Sequence, residues 1–340
     1  MYSHKYSIAI LAITISSITI ANCSSQPVFP KSTITHTVDV GEESTQVLWS
    51  VNEVYAQQND FQPMMSASSG LVCVLGDLVY PPQNKFTCLD SMNGTMAWQQ
   101  PIRTPNGILV DSDGIYVSQG GIAEISKFDH TGKLDWNLSS TENTVKYMYL
   151  YNNQVELFLL PEKFLVLDKD SGNQVSVVDG EKIIYGTGTE RFVVKYSLES
   201  RSFDLEKINW QLDISSSNLR LAPLFTDNLI LVRTGRVIGT LLALNRTTGQ
   251  TAWKTDNTII SNIGYWSAKN VLFALTESGQ LLQINIESGE QSVLLNFSPE
   301  PFILYGDAIV GGYEIAIDES HKILFILLGD SRQLFAVRLE

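Results

Sequence analysis

A chain of 340 residues that is 44% hydrophobic and only 17% charged has a globular composition with room for one large or two ordinary domains, which sets disorder aside for most of its length. Its formal charge of −13 excludes work on nucleic acid, because phosphate-tracking proteins gather Lys and Arg into a stripe and this chain has none. A net-negative surface also repels anionic lipid head groups, so any membrane attachment must come from a covalent or inserted anchor.

An anchor of that kind is written at the start. Lys5 is followed by an apolar and hydroxyl-bearing run over residues 8–20, short for a bilayer span and the right length for the core of a signal peptide covering residues 1–23. The run ends in Ile20-Ala21-Asn22-Cys23-Ser24-Ser25, which resembles a bacterial lipobox with Cys23 as the lipidated residue. Asn22 departs from that pattern, where the processing enzyme takes Gly, Ala or Ser. Three outcomes therefore stay open: lipidation of Cys23, ordinary cleavage, or an uncleaved anchor. All three place the body of the protein outside the cytoplasm. Residues 24–45 are rich in Ser and Thr with no apolar periodicity, and they read as a flexible tether.

The body of the chain then runs from 46 to 340. It opens on Gln46-Val47-Leu48-Trp49-Ser50-Val51, an alternating strand carrying a tryptophan. Cys73 and Cys88 follow on two apolar alternating segments separated by the turn-rich Tyr80-Pro81-Pro82-Gln83-Asn84. In an oxidising compartment this even pair fits a disulfide across one hairpin, and it fits equally two buried thiols acting as small hydrophobes.

From there one phrase recurs: a small residue, Asp or Asn two positions on, Gly four later, and Trp four after that. It is complete in Cys88, Asp90, Gly94, Trp98 and in Ala243, Asn245, Gly249, Trp253. A copy one residue shorter has Lys127, Asp129, Gly132, Trp136. The frame survives without tryptophan as Val166, Asp168, Gly172, Ser176 and as Gln283, Asn285, Gly289, Val293, and a decayed copy keeps Asp204 and Trp210. The phrase is that of a β-hairpin: Asp or Asn caps the turn with its side chain and Gly supplies positive φ. The tryptophan on the outer strand is expected to pack on the neighbouring repeat with its indole N–H on a backbone carbonyl.

Two further alternating runs precede each phrase, giving four strands per repeat. Outer-strand positions 49, 98, 136, 176, 210, 253 and 293 lie about 41 residues apart on average, the length of a propeller blade. The final repeat offers only three strands, over residues 314–317, 323–328 and 333–338, whereas residues 46–51 are an outer strand with no inner strands before them. The two fragments sum to one blade and remove a free sheet edge. The expected fold is all-β: a seven-bladed propeller of four-stranded antiparallel blades, closed by the N-terminal strand.

On these phrases the chain resembles the pyrroloquinoline-quinone-like, or tryptophan-docking, repeat family over residues 46–340. One branch of that family comprises quinoprotein dehydrogenases. The other comprises non-enzymatic outer-membrane assembly lipoproteins that use the propeller as a docking platform. The dehydrogenase branch implies adjacent cysteines on the cofactor, a catalytic aspartate, a calcium site and a longer eight-bladed chain. Cys73 and Cys88 are not adjacent and the chain is short, so neither enzymatic activity nor a cofactor is expected.

Other constellations are weak. Asp168-Lys169-Asp170-Ser171-Gly172 opens like a calcium loop but its glycine comes one position early, and Asp111-Ser112-Asp113-Gly114 reads as a loop between inner strands. His4, His36, His130 and His321 lack ligand partners at metal spacing. Met64, Met65, Tyr149, Tyr265, Trp266 and Tyr305 lie on or near inner strands; core filling is the favoured role, with the Tyr265-Trp266 pair the first choice for a contact at the channel mouth. The expected function is an extracytoplasmic, lipid-anchored, monomeric scaffold docking a protein or an envelope polymer. The alternative is a quinone- or sugar-binding propeller with dehydrogenase-like activity.

Overall fold

The computed structural model describes residues 37–40, 46–56, 63–78, 83–119, 123–140, 144–151, 153–160, 163–179, 183–187, 190–194, 197–202, 207–213, 223–235, 239–298, 304–305, 308–309, 313–329 and 331–340. The signal-peptide segment, Cys23, Asp204 and most of the tether lie outside the described residues.

Short β-branched and aromatic runs broken by Asp/Asn and Gly turns can satisfy their backbone only by pairing with sequence neighbours, and they do so as meanders. The first blade consists of Met65–Ser68, Leu71–Val74, Lys85–Asp90 and Met96–Pro101. The second is Pro105–Asp111, Gly114–Gln119, Ala123–Phe128 and Leu134–Ser140. The third is Thr144–Tyr151, Gln154–Leu160, Lys163–Asp168 and Gln174–Asp179. The fourth is Ile183–Thr187, Glu190–Val194, Leu198–Ser202 and Ile208–Leu212. The fifth is Leu224–Phe225, Leu229–Arg233, Leu241–Asn245 and Thr251–Lys254. The sixth is Gly264–Trp266, Val271–Leu275, Gln280–Asn285 and Gln291–Ser298.

The seventh blade is composite. Tyr313–Asp318, Ile323–Leu328 and Gln333–Arg338 are completed on the outside by Gln46–Val51, with Gln46 opposite Arg338 and Val51 opposite Leu334. Seven antiparallel blades and closure by an N-terminal strand are the architecture expected from the repeat.

One boundary needs correction. Part of the stretch expected as tether is a strand: Thr37–Val40 pairs antiparallel with the outer strand of the sixth blade, Thr37 opposite Ser298 and Val40 opposite Leu295, making that blade five-stranded. The signal was a short Thr-Val-Asp-Val alternation among hydroxyl residues. Val38 packs against the apolar cluster between the sixth and seventh blades.

A separate apolar cluster fills each of several seams between blades. Leu71, Cys73, Phe86 and Cys88 of the first blade meet Ile108, Ile115 and Val117 of the second. Val72, Val74 and Leu89 on the opposite face meet Phe325, Leu327 and Ala336 of the seventh. The core is thus a set of sandwiched faces, which is why strands buried on both sides read as continuous apolar runs such as Ile323–Leu328. Cys73 and Cys88 stand directly opposite each other on adjacent strands of the first blade and are joined as a disulfide.

Candidate functional site

Every tryptophan of the repeat seats on the following blade. The indole N–H of Trp49 donates to Ser91 O at 2.9 Å, Trp98 to His130 O at 2.9 Å and Trp136 to Lys169 O at 3.0 Å. Trp210 donates to Arg246 O at 2.7 Å and Trp253 to Ile286 O at 2.8 Å. Each acceptor immediately follows the Asp or Asn of the next repeat. The carboxylate or amide oxygen of Asp90, Asp129, Asp168, Asn245 and Asn285 accepts backbone N–H groups of its own turn, which points that carbonyl outward. Asp129 and Asp168 are held below the usual carboxylate range, chiefly by the hydroxyls of Thr131 and Ser171.

The turn glycine is the seat itself. The Trp49, Trp98, Trp136, Trp210 and Trp253 rings lie against Gly94, Gly132, Gly172, Gly249 and Gly289 in turn. At Gly94 a Cβ would stand 2.7 Å from Trp49 Cδ2, and the backbone there has φ +71, so the position excludes any side chain twice over.

The register contains a device absent from the sequence reading. Lys127 faces Trp136 while Phe128 faces Leu134, leaving Asp135 as an extra residue. The same bulge precedes Trp49, Trp98, Trp210 and Trp253, so each tryptophan stands opposite the small or central residue of the phrase. In the sixth blade the bulge falls two residues later, between Val293 and Leu295, and Ser292 faces Gln283. Val293 therefore does not occupy the tryptophan position that the frame assigns to it.

Two seams consequently lack a seated tryptophan, and each holds a polar contact. Between the third and fourth blades, where Ser176 replaces the ring, the Arg191 guanidinium lies 3.4 Å from Glu156 and over the Phe164 ring, all buried. Burial raises the Glu156 carboxyl and lowers Arg191. Between the sixth and seventh blades there is no turn to seat a ring, since the outer strand of the seventh comes from the other end of the chain. There the Ser267 N–H and hydroxyl donate to Glu319 at 3.0 and 2.7 Å, and Asn262 Nδ2 donates to Ile315 O at 3.0 Å.

Trp266 is not a channel-mouth contact. It is 5% exposed and packed among Phe273, Tyr313 and Ile315 between the sixth and seventh blades, because it ends an inner strand whose alternation turns that face to the seam. Tyr265 points the other way and donates its hydroxyl to Asn270 Oδ1 at 3.1 Å. Met64 and Met65 are core residues.

Ionisable groups whose partners the sequence reading did not show sit in the seams. Lys169 bridges to Asp111 and, at 2.8 Å, to Asp113; burial pulls the ammonium down, and the hydrogen bonds to both aspartates outweigh it and hold it above its ordinary value. Glu314, on the inner strand of the seventh blade, accepts from the Met64 N–H of the first blade. Burial pushes its carboxyl up to about 8. The same cause pulls Arg233 of the fifth blade, whose charge Glu314 feels, down to about 10. Among the described residues no group of three His, Cys, Asp or Glu is placed to hold a metal ion.

The family described as outer membrane protein assembly factor BamB matches residues 35–181 and 166–298. The chain belongs to the BamB family. Among solved structures it is similar to the crystal structure of BamB from Moraxella catarrhalis, at 12% identity over 87% of this chain and 98% of that one, with a TM-score of 0.48. It is also similar to a chain of the crystal structure of the mitotic checkpoint complex, at 11% identity over 90% of this chain and 99% of that one, with a TM-score of 0.63, a likeness of fold. No curated protein matches.

In this member of the BamB family the large apolar side chains left exposed among the described residues lie mainly on outer strands. Met96, Leu134 and Ile208 each stand two residues before a seated tryptophan, and Val175 and Val177 flank Ser176.

Proposed function

We propose that this BamB-family propeller is a non-catalytic docking platform of the cell envelope, exported by residues 1–23, held at a membrane by a lipid on Cys23, and binding another protein or an envelope polymer as a monomer. The observation that carries the reading is the use of the repeat's signature side chains. Trp, Asp/Asn and Gly of each phrase are engaged with one another from blade to blade, and buried ionisable groups are paired or held within seams. Such a ring is a rigid body whose recognition surface is its outer strands and loops. The family match supports the envelope setting.

Cross-linking in native membranes followed by purification of the full-length protein tests the docking role: a discrete stoichiometric partner is expected, and recovery of the protein alone overturns the reading. Cys23→Ala is expected to abolish incorporation of labelled fatty acid and release the protein from membranes. Calorimetric binding of pyrroloquinoline quinone with calcium would replace the docking role by an enzymatic one.

A further inference from the structure

We propose that residues 176–179, the outer edge of the third blade, form a strand-addition site that takes an extended, basic segment of the partner polypeptide in antiparallel pairing. The proposal rests on the docking reading above and names the surface and chemistry it uses.

The sixth blade supplies the internal comparison. Its outer strand lacks a seated tryptophan, is interrupted by a bulge between Val293 and Leu295, and then over residues 295–298 pairs with Thr37–Val40. Leu295 and Phe297 on that stretch are fully buried in the seam with the seventh blade, whereas Val293 ahead of it is 36% exposed. The third blade shares the missing tryptophan but keeps its bulge directly before the frame position, as the tryptophan-bearing blades do. Ser176 stands where the ring would be, the bulge falls at Val175, and residues 176–179 follow it. Here the outer side pairs with no strand among the described residues, and Val175 and Val177 remain 55% and 48% exposed.

An open edge is ordinarily blunted by charge, proline or cover. Four of the other outer strands carry such features: Pro101 in the first blade, Asp135 in the second, Lys254 in the fifth and the added strand in the sixth; those of the fourth and seventh carry none. Each of the first, second, fourth, fifth and seventh also anchors a tryptophan on its neighbour. Residues 174–178 have neither charge, proline nor tryptophan, and Asp179 at the end of the strand is its one charge; among the described residues no strand covers their outer N–H and C=O groups, which leaves a β-branched strand suited to augmentation.

Charge selects the occupant. Asp179 ends the edge strand itself, and Asp111, Asp113, Asp135 and Asp170 all act on the buried Tyr116 hydroxyl at the seam between the second and third blades, where Lys127 and Lys169 lie over its ring. Asp170 lies in the turn that leads into the edge strand. A net charge of −13 opposes a second copy of the chain and favours a segment with Lys or Arg beside its apolar positions.

The test uses purified full-length protein and a fluorescein-labelled peptide, Thr-Val-Lys-Val-Thr-Lys, read by anisotropy. Binding is expected, with hydrogen-exchange protection appearing at residues 176–179. Three changes are each expected to weaken it by at least about tenfold: Val177→Lys, replacement of the peptide lysines by glutamate, and N-methylation of alternate peptide bonds that removes the donors of a strand. Val177 is exposed, so Val177→Lys should melt with wild type, and Val177→Thr provides a second folded variant that keeps binding. No binding by wild type, or binding indifferent to Val177→Lys or to N-methylation, overturns the proposal. A wild-type dimer in sedimentation that Val177→Lys disperses assigns the edge to a second copy and also overturns it. If the cross-linked partner is captured equally by Val177→Lys, the edge assignment fails while the docking role stands.

Discussion

The Trp49 indole lies flat on Gly94 and hydrogen-bonds Ser91 O, so the outer strand that closes the ring is also the strand that clasps the seventh blade to the first. Gly94→Ala places a methyl within 2.7 Å of that ring at φ +71. Strain and overpacking together are expected to cost about 2–4 kcal/mol, read as a lower urea midpoint with unchanged slope. A shift within error would show that the ring can retreat from the turn.

The buried Arg191 guanidinium lies beside Glu156 between the second strands of the third and fourth blades, at a seam that lacks a seated tryptophan. Removing one partner strands the other charge, so Arg191→Ala is expected to cost about 3–5 kcal/mol, whereas the double change Arg191→Met with Glu156→Leu should recover most of the loss. Equal destabilisation by single and double variants would assign the pair no net penalty of desolvation.

Glu314 titrates at about 8 in the folded protein against an ordinary 4.5, with burial as the main cause. The folded chain therefore binds more protons than the unfolded chain between those two values. Its contribution to stability is complete below the lower one and falls as pH rises to the higher, by at most about 1.4 kcal/mol per pH unit. Glu314→Gln keeps the acceptor for Met64 and removes the titration, so denaturation midpoints followed from about pH 5 to about pH 9 should flatten relative to wild type. An unaltered slope would place the proton uptake on another group.

The disulfide joining Cys73 to Cys88 closes a sequence separation of 15 within the first blade. A loop of that length corresponds to about 3 kcal/mol of constraint on the unfolded chain, so Cys73→Ala with Cys88→Ala should lose roughly that amount and reductant should then have no further effect. Wild type insensitive to reductant in its denaturation midpoint would show the bond to be absent.

Deleting Thr37–Val40 uncovers the sixth blade only, and a moderate fall in melting temperature is expected with the protein still monomeric. Extending the deletion through Gln46–Val51 removes the closing strand and the Trp49 seat and exposes the seventh blade, so light scattering should report aggregation. A soluble monomer after the longer deletion would show that the ring holds without its closure.

The fold was legible because its repeat unit is written in residues that cannot be exchanged cheaply. The turn needs Asp or Asn as cap and Gly at positive φ, and the seat needs a flat ring, so the phrase persists at Asp90, Gly94 and Trp98 even where inner strands vary. The bulge before each tryptophan was not legible, since its residues share no chemistry: Ala97 and Ala252 are small, Leu48 is apolar, Asn209 is polar and Asp135 is charged. Trp266 misled for a related reason. An aromatic pair on an inner strand has the same spelling whether it faces a channel or a seam, and only the packing of Phe273 and Tyr313 around it decides. The Thr37–Val40 strand is too brief for its alternation to stand out from its surroundings, and its partner lies far along the chain. Pairs such as Glu156 with Arg191 join different repeats and leave no local trace.

Val47 and Val337 face each other across the closing seam although about 290 residues separate them, the slowest kind of contact for a chain to find. A strand that leaves the ribosome early must wait, unpaired and with its tryptophan exposed, until the final hairpin has been made. On a secretory route that interval would include passage across a membrane, which makes the completed circle a product of the far side and gives folding helpers there a defined moment to act.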